Sequence, residues 1–217
     1  MLPYIGMIYP DVKLESELWS KGLKYVVGLD EAGRGPLAGP VVAGAVVITG
    51  QDQVVENVRD SKKMTEKQRE KAYDDICKLS TAYAVGIVDS QEIDLLGIRE
   101  AVHQAMISAL RGVEKKLGCS ADYIIADGGI LLIDGYDMQA INHGDLYHYS
   151  ISSASVLAKV TRDRIMKEYA KKFPEYGFDT HVGYGTKKHI EAIKEFGVCD
   201  IHRRTFEPIK SIVKRVG

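Results

Sequence analysis

No run of about 18 uncharged apolar residues occurs anywhere in the chain, so no membrane-spanning helix is expected. Behind Met1 come Asp11, Glu15 and Glu17 rather than the basic-then-apolar order of a secretory signal. Both absences lead to the expectation of a cytoplasmic protein with no membrane partner. Cysteine is scarce, three in 217 residues. Cys77, Cys119 and Cys199 lie far apart without metal-ligand spacing, which argues against a zinc site or a disulfide frame. An excess of one charge is also missing: the net charge is −1, so no global positive field advertises nucleic acid. Basic residues do gather locally, at Lys62-Lys63 with Lys67 and Arg69, at Arg162 with Arg164, at Lys187-Lys188 and at Arg203-Arg204. Each group taken singly reads as a solvated helix face. Repeats, low-complexity tracts and Ser/Pro-rich linkers are absent too. What remains is 45% hydrophobic and long enough for one sizeable core.

The apolar runs alternate with helical periodicity, which predicts helices packed on a sheet. Strands are expected at 25–30, 41–48, 82–88 and 122–127, with a weaker one at 138–141. The loop between the first two is too short for a crossover helix, so those strands should be antiparallel and the sheet mixed. Helices are expected at 65–79, where Thr65 and Gln68 form a capping-box pattern, and at 98–117, with Val102, Ala105, Met106, Ala109 and Val113 on one stripe. Two more are expected at 153–172 and 186–196, the last ending at Gly197.

Two strands end in acid. "YVVGLDEAGRG" carries Asp30 and Glu31 into a glycine-rich loop, and "DYIIADGG" delivers Asp127 to a Gly-Gly turn. Adjacent acids on a continuing strand face opposite sides. Asp30 and Glu31 can therefore share a site only if the strand breaks, which Gly33 and Gly35 would allow. Asp145, in "NHGDLYHYS", is a third candidate. Asp before Gly is also a plain turn formula. Carboxylates brought together repel unless cations neutralise them, and all-oxygen ligands select Mg2+ or Mn2+. Such a cluster is the protein's half of a two-metal phosphodiester-hydrolysis site. The histidines His143, His148, His181, His189 and His202 are too scattered for an imidazole metal site, and read as surface or phosphate-proximal groups. Asp163, mid-helix among basic residues, reads as a salt-bridge partner.

These stretches, with "RDSKKMTEKQRE", "SASVLAKVTRDRIM", "YGFDTHVGYGTKKH" and "IHRRTFEPIK", resemble the bacterial ribonuclease HII family of type 2 ribonucleases H. The resemblance spans about residues 14–212. It implies an α/β, ribonuclease H-like fold: a mixed central sheet flanked by helices, with a helical C-terminal part closing over the substrate. The expected organisation is a single catalytic domain over 1–217, with a short N-terminal helical lead at about 1–24 and a helical C-terminal subregion at about 173–217.

The resemblance implies cutting of RNA in RNA–DNA hybrids and 5′ of a ribonucleotide embedded in duplex DNA, leaving 3′-hydroxyl and 5′-phosphate ends. Its metal-binding, catalytic carboxylates fall on Asp30, Glu31, Asp127 and Asp145. Its ribonucleotide-sensing loop falls on Gly33, Arg34 and Gly35, and its sugar-packing tyrosine on Tyr184. Lys62, His148 and Lys187 are candidate phosphate contacts. His143, Tyr147 and Val182 stand where family members usually carry basic residues. A non-catalytic hybrid-binding protein is the alternative reading, with those losses as its support. A monomer is expected, and no replication or repair partner is indicated.

Overall fold

The computed structural model describes residues 9–129 and 132–216. The first eight residues of the expected N-terminal lead lie outside this range. The lead's described part forms α1 (Lys13–Ser20). Five strands follow the expected positions within two residues: β1 (Val26–Ala32), β2 (Val41–Val47), β3 (Ala82–Val88), β4 (Tyr123–Asp127) and β5 (Met138–Ile141). They form one sheet in the order β3-β2-β1-β4-β5. β1 is antiparallel to β2 and parallel to β4, so the sheet is mixed.

The helices are α2 (Glu66–Leu79), α3 (Ser90–Leu96), α4 (Ile98–Leu117), α5 (Gly144–Tyr147), α6 (Tyr149–Lys172), α7 (Phe178–His181), α8 (Lys187–Phe196) and α9 (Ile209–Val216). α2 opens with the expected capping box, Thr65 Oγ1 accepting from the Gln68 amide and Gln68 Oε1 from the Thr65 amide. Val102, Ala105, Met106, Ala109 and Val113 of α4 are all buried against one face of the sheet. α8 stops at Gly197, at φ 80°. One boundary moves: α6 begins at Tyr149, not 153. Glu15 of α1 is fully buried, and its Oε1 accepts from the Ser150 amide and hydroxyl at 3.0 and 2.7 Å. A carboxylate supplied by another helix thus satisfies donors of α6's first turn, a signal no local reading contains.

α6 covers the other face of the sheet. It comes close because β1 and β2 present glycine to it: a Cβ on Gly28 would sit 2.3 Å from the Ser150 carbonyl carbon, and one on Gly44 2.2 Å from the Ala154 oxygen. Beyond the sheet, Met166 of α6 packs with Phe178, Ala192, Ile193 and Ile209 in a separate apolar cluster. This is the core of the helical C-terminal subregion. No described helix is long and apolar enough to cross a membrane.

Candidate active site

β1 does not break at its acids, contrary to the sequence expectation. Its pairing with β2 runs on to Ala32, while its pairing with β4 ends at Leu29. Val27 and Leu29 pack on the α4 side, and Gly28 abuts α6. Asp30 follows Gly28 onto the α6 face, and Glu31, near the strand's end, borders a cleft shared with Ser155, Lys159 and Arg162 of α6. On β4, Ile125 packs with Val26 and Ile151 of α6, so Asp127, two residues on, shares the face of Asp30. Asp145 enters from α5. Asp127 Oδ1 accepts the Gly144 amide at 2.6 Å, which ties the β4 tip to that helix.

The outcome is a compact group of three. Carboxylate oxygens of Asp30, Asp127 and Asp145 lie within 4.8 Å of one another. Glu31 is beside this group rather than in it, with Oε1 3.1 Å from Arg34 Nη1. Burial, then Glu31 and Asp127, push the Asp30 carboxyl well above the usual range, although it accepts the Glu31 amide at 2.7 Å. Burial and then Asp127 raise Asp145 as well. Burial also raises Glu31, against the opposing pull of Arg34. Burial works against the charge of Lys62, but Asp30, Asp145, Asp60 and Asp127 outweigh it and raise its pKa. The donor set is all carboxylate and short of positive charge, which fits a hard divalent cation.

A cleft of about 450 Å3 adjoins the acids, lined among others by Glu31, Gly33, Arg34, Gly35, Lys62 and Tyr184. It does not reach the three aspartates; Glu31 and Lys62 connect the two. The Tyr184 ring lies 3.8 Å from where a Cβ on Gly35 would be, so tyrosine and loop form one wall. Of the candidate phosphate contacts, Lys62 lines the cleft while His148 and Lys187 lie outside it. His148 is half-buried at the start of α6, and Lys187 is exposed on α8 beside Glu191.

Two arginines read from sequence as surface charge are instead buried beneath the loop. Arg162 donates to the carbonyls of Pro40 and Ala38, and Arg203 to those of Gly39, Arg34 and Gly33. Charge-run logic misses them because their acceptors are backbone carbonyls far off in sequence. The histidine expectation also needs correction. His181, His189 and His202 are buried, and the rings of Tyr176 and Phe178 pack against them. Asp163 is an ion-pair partner as expected, to Lys159 at 2.7 Å and Arg69 at 3.6 Å. The three cysteines are free.

Comparison with known proteins gives the family and the fold. The family model described as Ribonuclease HII matches residues 27–209. A ribonuclease HII of Bacillus mycoides is 46% identical over 203 residues, covering 94% of this chain and 77% of the relative. The crystal structure of ribonuclease H2 from Pyrococcus horikoshii superposes with a TM-score of 0.72 at 30% identity, over 88% of this chain and 98% of that one. Bst-RNase HIII, solved in complex with Mn2+, shares the fold at 17% identity and a TM-score of 0.64, over 89% of this chain and 71% of that one. With the match extending from β1 to the start of α9, the chain belongs to the ribonuclease HII family and is an endoribonuclease, a hydrolase of phosphodiester bonds.

Proposed function

We propose that the chain is a metal-dependent endonuclease that hydrolyses the RNA strand of RNA–DNA hybrids. It also cuts 5′ of single ribonucleotides embedded in duplex DNA, leaving 3′-hydroxyl and 5′-phosphate ends. The observation that carries the reading is the close group of buried Asp30 and Asp145 with half-buried Asp127, next to a cleft walled by the Gly33-Arg34-Gly35 loop and Tyr184. Those three acids, with Glu31 alongside, would hold Mg2+ or Mn2+. When bound, a pair of such cations supplies a nucleophilic water and stabilises the leaving oxygen.

The chain's own residues position the substrate. Glycines let the loop backbone approach a 2′-hydroxyl, the group that separates RNA from DNA. The flat ring of Tyr184 packs on the neighbouring deoxyribose, where a further oxygen would crowd it. Lys62 contacts a phosphate beside the acids, with Lys187 and His148 farther along the backbone. Every one of these groups comes from one chain, so a monomer suffices. The unit is a single domain whose C-terminal helices close over the duplex. A purely hybrid-binding role would leave the buried acids without a use.

The acids provide the test. Asp30→Asn, Asp127→Asn and Asp145→Asn should each reduce cleavage of a hybrid by about a hundredfold or more, with melting temperature unchanged or raised, because a repelling charge is removed. Glu31→Gln should also impair cleavage. Near wild-type turnover of Asp145→Asn at saturating Mg2+ would refute the ligand assignment, and undiminished cutting in chelator would refute metal dependence.

A further inference from the structure

Arg162 and Arg203 are 1% and 0% exposed, and their hydrogen bonds go to backbone carbonyls. Nothing in the proposed chemistry requires a guanidinium there. The distribution of their donors does suggest one use. Arg203 Nη2 donates to the Gly33 carbonyl at 2.6 Å and Nη1 to the Arg34 carbonyl at 3.0 Å, while Nε donates to Gly39 at 3.0 Å. The first two carbonyls belong to consecutive peptide groups, Gly33–Arg34 and Arg34–Gly35. Both peptides are trans, so each N–H points opposite its carbonyl. With both carbonyls turned inward onto one guanidinium, the amides of Arg34 and Gly35 are turned outward, toward the cleft that this loop lines. Neither amide has a protein acceptor among the described residues.

Arg162 secures the return of the loop through Pro40 at 3.0 Å and Ala38 at 3.1 Å. Gly33 has φ 100°, and a Cβ there would lie 2.3 Å from Arg162 Nε. The loop is therefore flexible in composition but fixed in place. The glycines permit its path and the arginines hold it.

We propose that Arg203 is a specificity-determining positioning residue: its fork fixes two consecutive peptide planes so that the Arg34 and Gly35 amides form a preset pair of donors for the substrate's 2′-oxygen. The inference rests on the ribonucleotide reading above. A deoxyribose offers no acceptor, leaving the paired donors unsatisfied, which is how a polar site rejects an analogue lacking one hydroxyl. Lysine at 203 would keep the charge but could not hold two planes at once.

The experiment compares binding of two duplexes of identical sequence, one all-DNA and one with a single ribonucleotide, with Ca2+ in place of Mg2+. Wild type should prefer the ribonucleotide duplex, and Arg203→Lys should lose about fivefold to tenfold of that preference while its affinity for the all-DNA duplex stays the same. Equal preference in both proteins would overturn the role of Arg203. No preference in wild type would overturn the ribonucleotide reading beneath it. Should Arg203→Lys not fold, wild type still decides. The amide proton resonances of Arg34 and Gly35 should shift with the ribonucleotide duplex and not with the all-DNA one, and equal shifts with both would contradict the proposal.

Discussion

Val182, at the scale of one residue, occupies a position where the family resemblance leads to the expectation of a basic side chain, and it adopts φ 44°, the left-handed region that a β-branched side chain rarely enters. Its side chain leans on the C-terminal apolar cluster. Val182→Lys should tighten hybrid binding and steepen its salt dependence by about one unit of slope or less; an unchanged slope would mean that position 182 faces away from the substrate backbone. His143 and Tyr147, the other two positions where the resemblance leads to the expectation of a basic residue, are both exposed. The buried arginines bear on these losses. Burial lowers Arg162 to about 10 and Arg203 to about 9, so both remain charged at neutral pH. Two fixed positive charges thus add to Arg34, Lys62, Arg69 and Lys159, which line the cleft. Tyr184, 47% exposed on the cleft wall, carries a separate expectation. Tyr184→Ala should impair cutting at a single embedded ribonucleotide much more than cutting within a long hybrid, measured in single turnover. Equal fractional losses would reduce Tyr184 to general positioning.

Elements that announce themselves locally were legible in the sequence. The Thr65/Gln68 capping box and the α4 stripe depend on neighbours a few residues apart. The start of α6 was not legible, because the cap comes from Glu15, 135 residues away. The buried histidines were illegible for the same reason. The Cys199 amide donates to His202 Nδ1, so His202 donates from Nε2 to His189 Nε2 at 3.0 Å. His189 then donates from Nδ1 to the Tyr184 carbonyl at 2.9 Å. A directed chain of neutral rings thereby ties α8 to the segment bearing Tyr184. Burial, with His181 adding to it at His189 and His189 at His202, lowers both pKa values to about 4. The ordinary value is 6.5, so the unfolded chain takes up protons first as pH falls. Stability from this chain is full above pH 6.5 and drains away between there and about 4, by an amount on the order of a few kcal/mol. Thermal unfolding should show it. His202→Gln should melt lower at pH 7 and lose less between pH 7 and pH 4.5 than wild type, whereas parallel curves would contradict the assignment.

At the scale of the whole molecule, the topology assembles the site. Parallel pairing of β1 with β4 sets Asp30 and Asp127 side by side on one face, and α5, leading into α6, adds Asp145. The mixing of the sheet followed from the short loop between β1 and β2, whereas the strand order β3-β2-β1-β4-β5 did not, because it rests on pairings between segments far apart in sequence. The position of Glu31 beside the group was not legible, because it depends on the path of the loop that brings Arg34 to within 3.1 Å of its carboxylate. On the proposed function, this assembly directs hydrolysis to the 5′ side of a ribonucleotide. The most direct test uses duplex DNA with one ribonucleotide, the strand labelled at its 5′ end in one preparation and its 3′ end in another, incubated with the protein and Mg2+ or Mn2+. One cut immediately 5′ of the ribonucleotide is expected, with an extendable 3′-hydroxyl on one product and a 5′-phosphate on the other. A cut on the 3′ side, a 2′,3′-cyclic phosphate end, or equal cutting of an all-DNA control would contradict it.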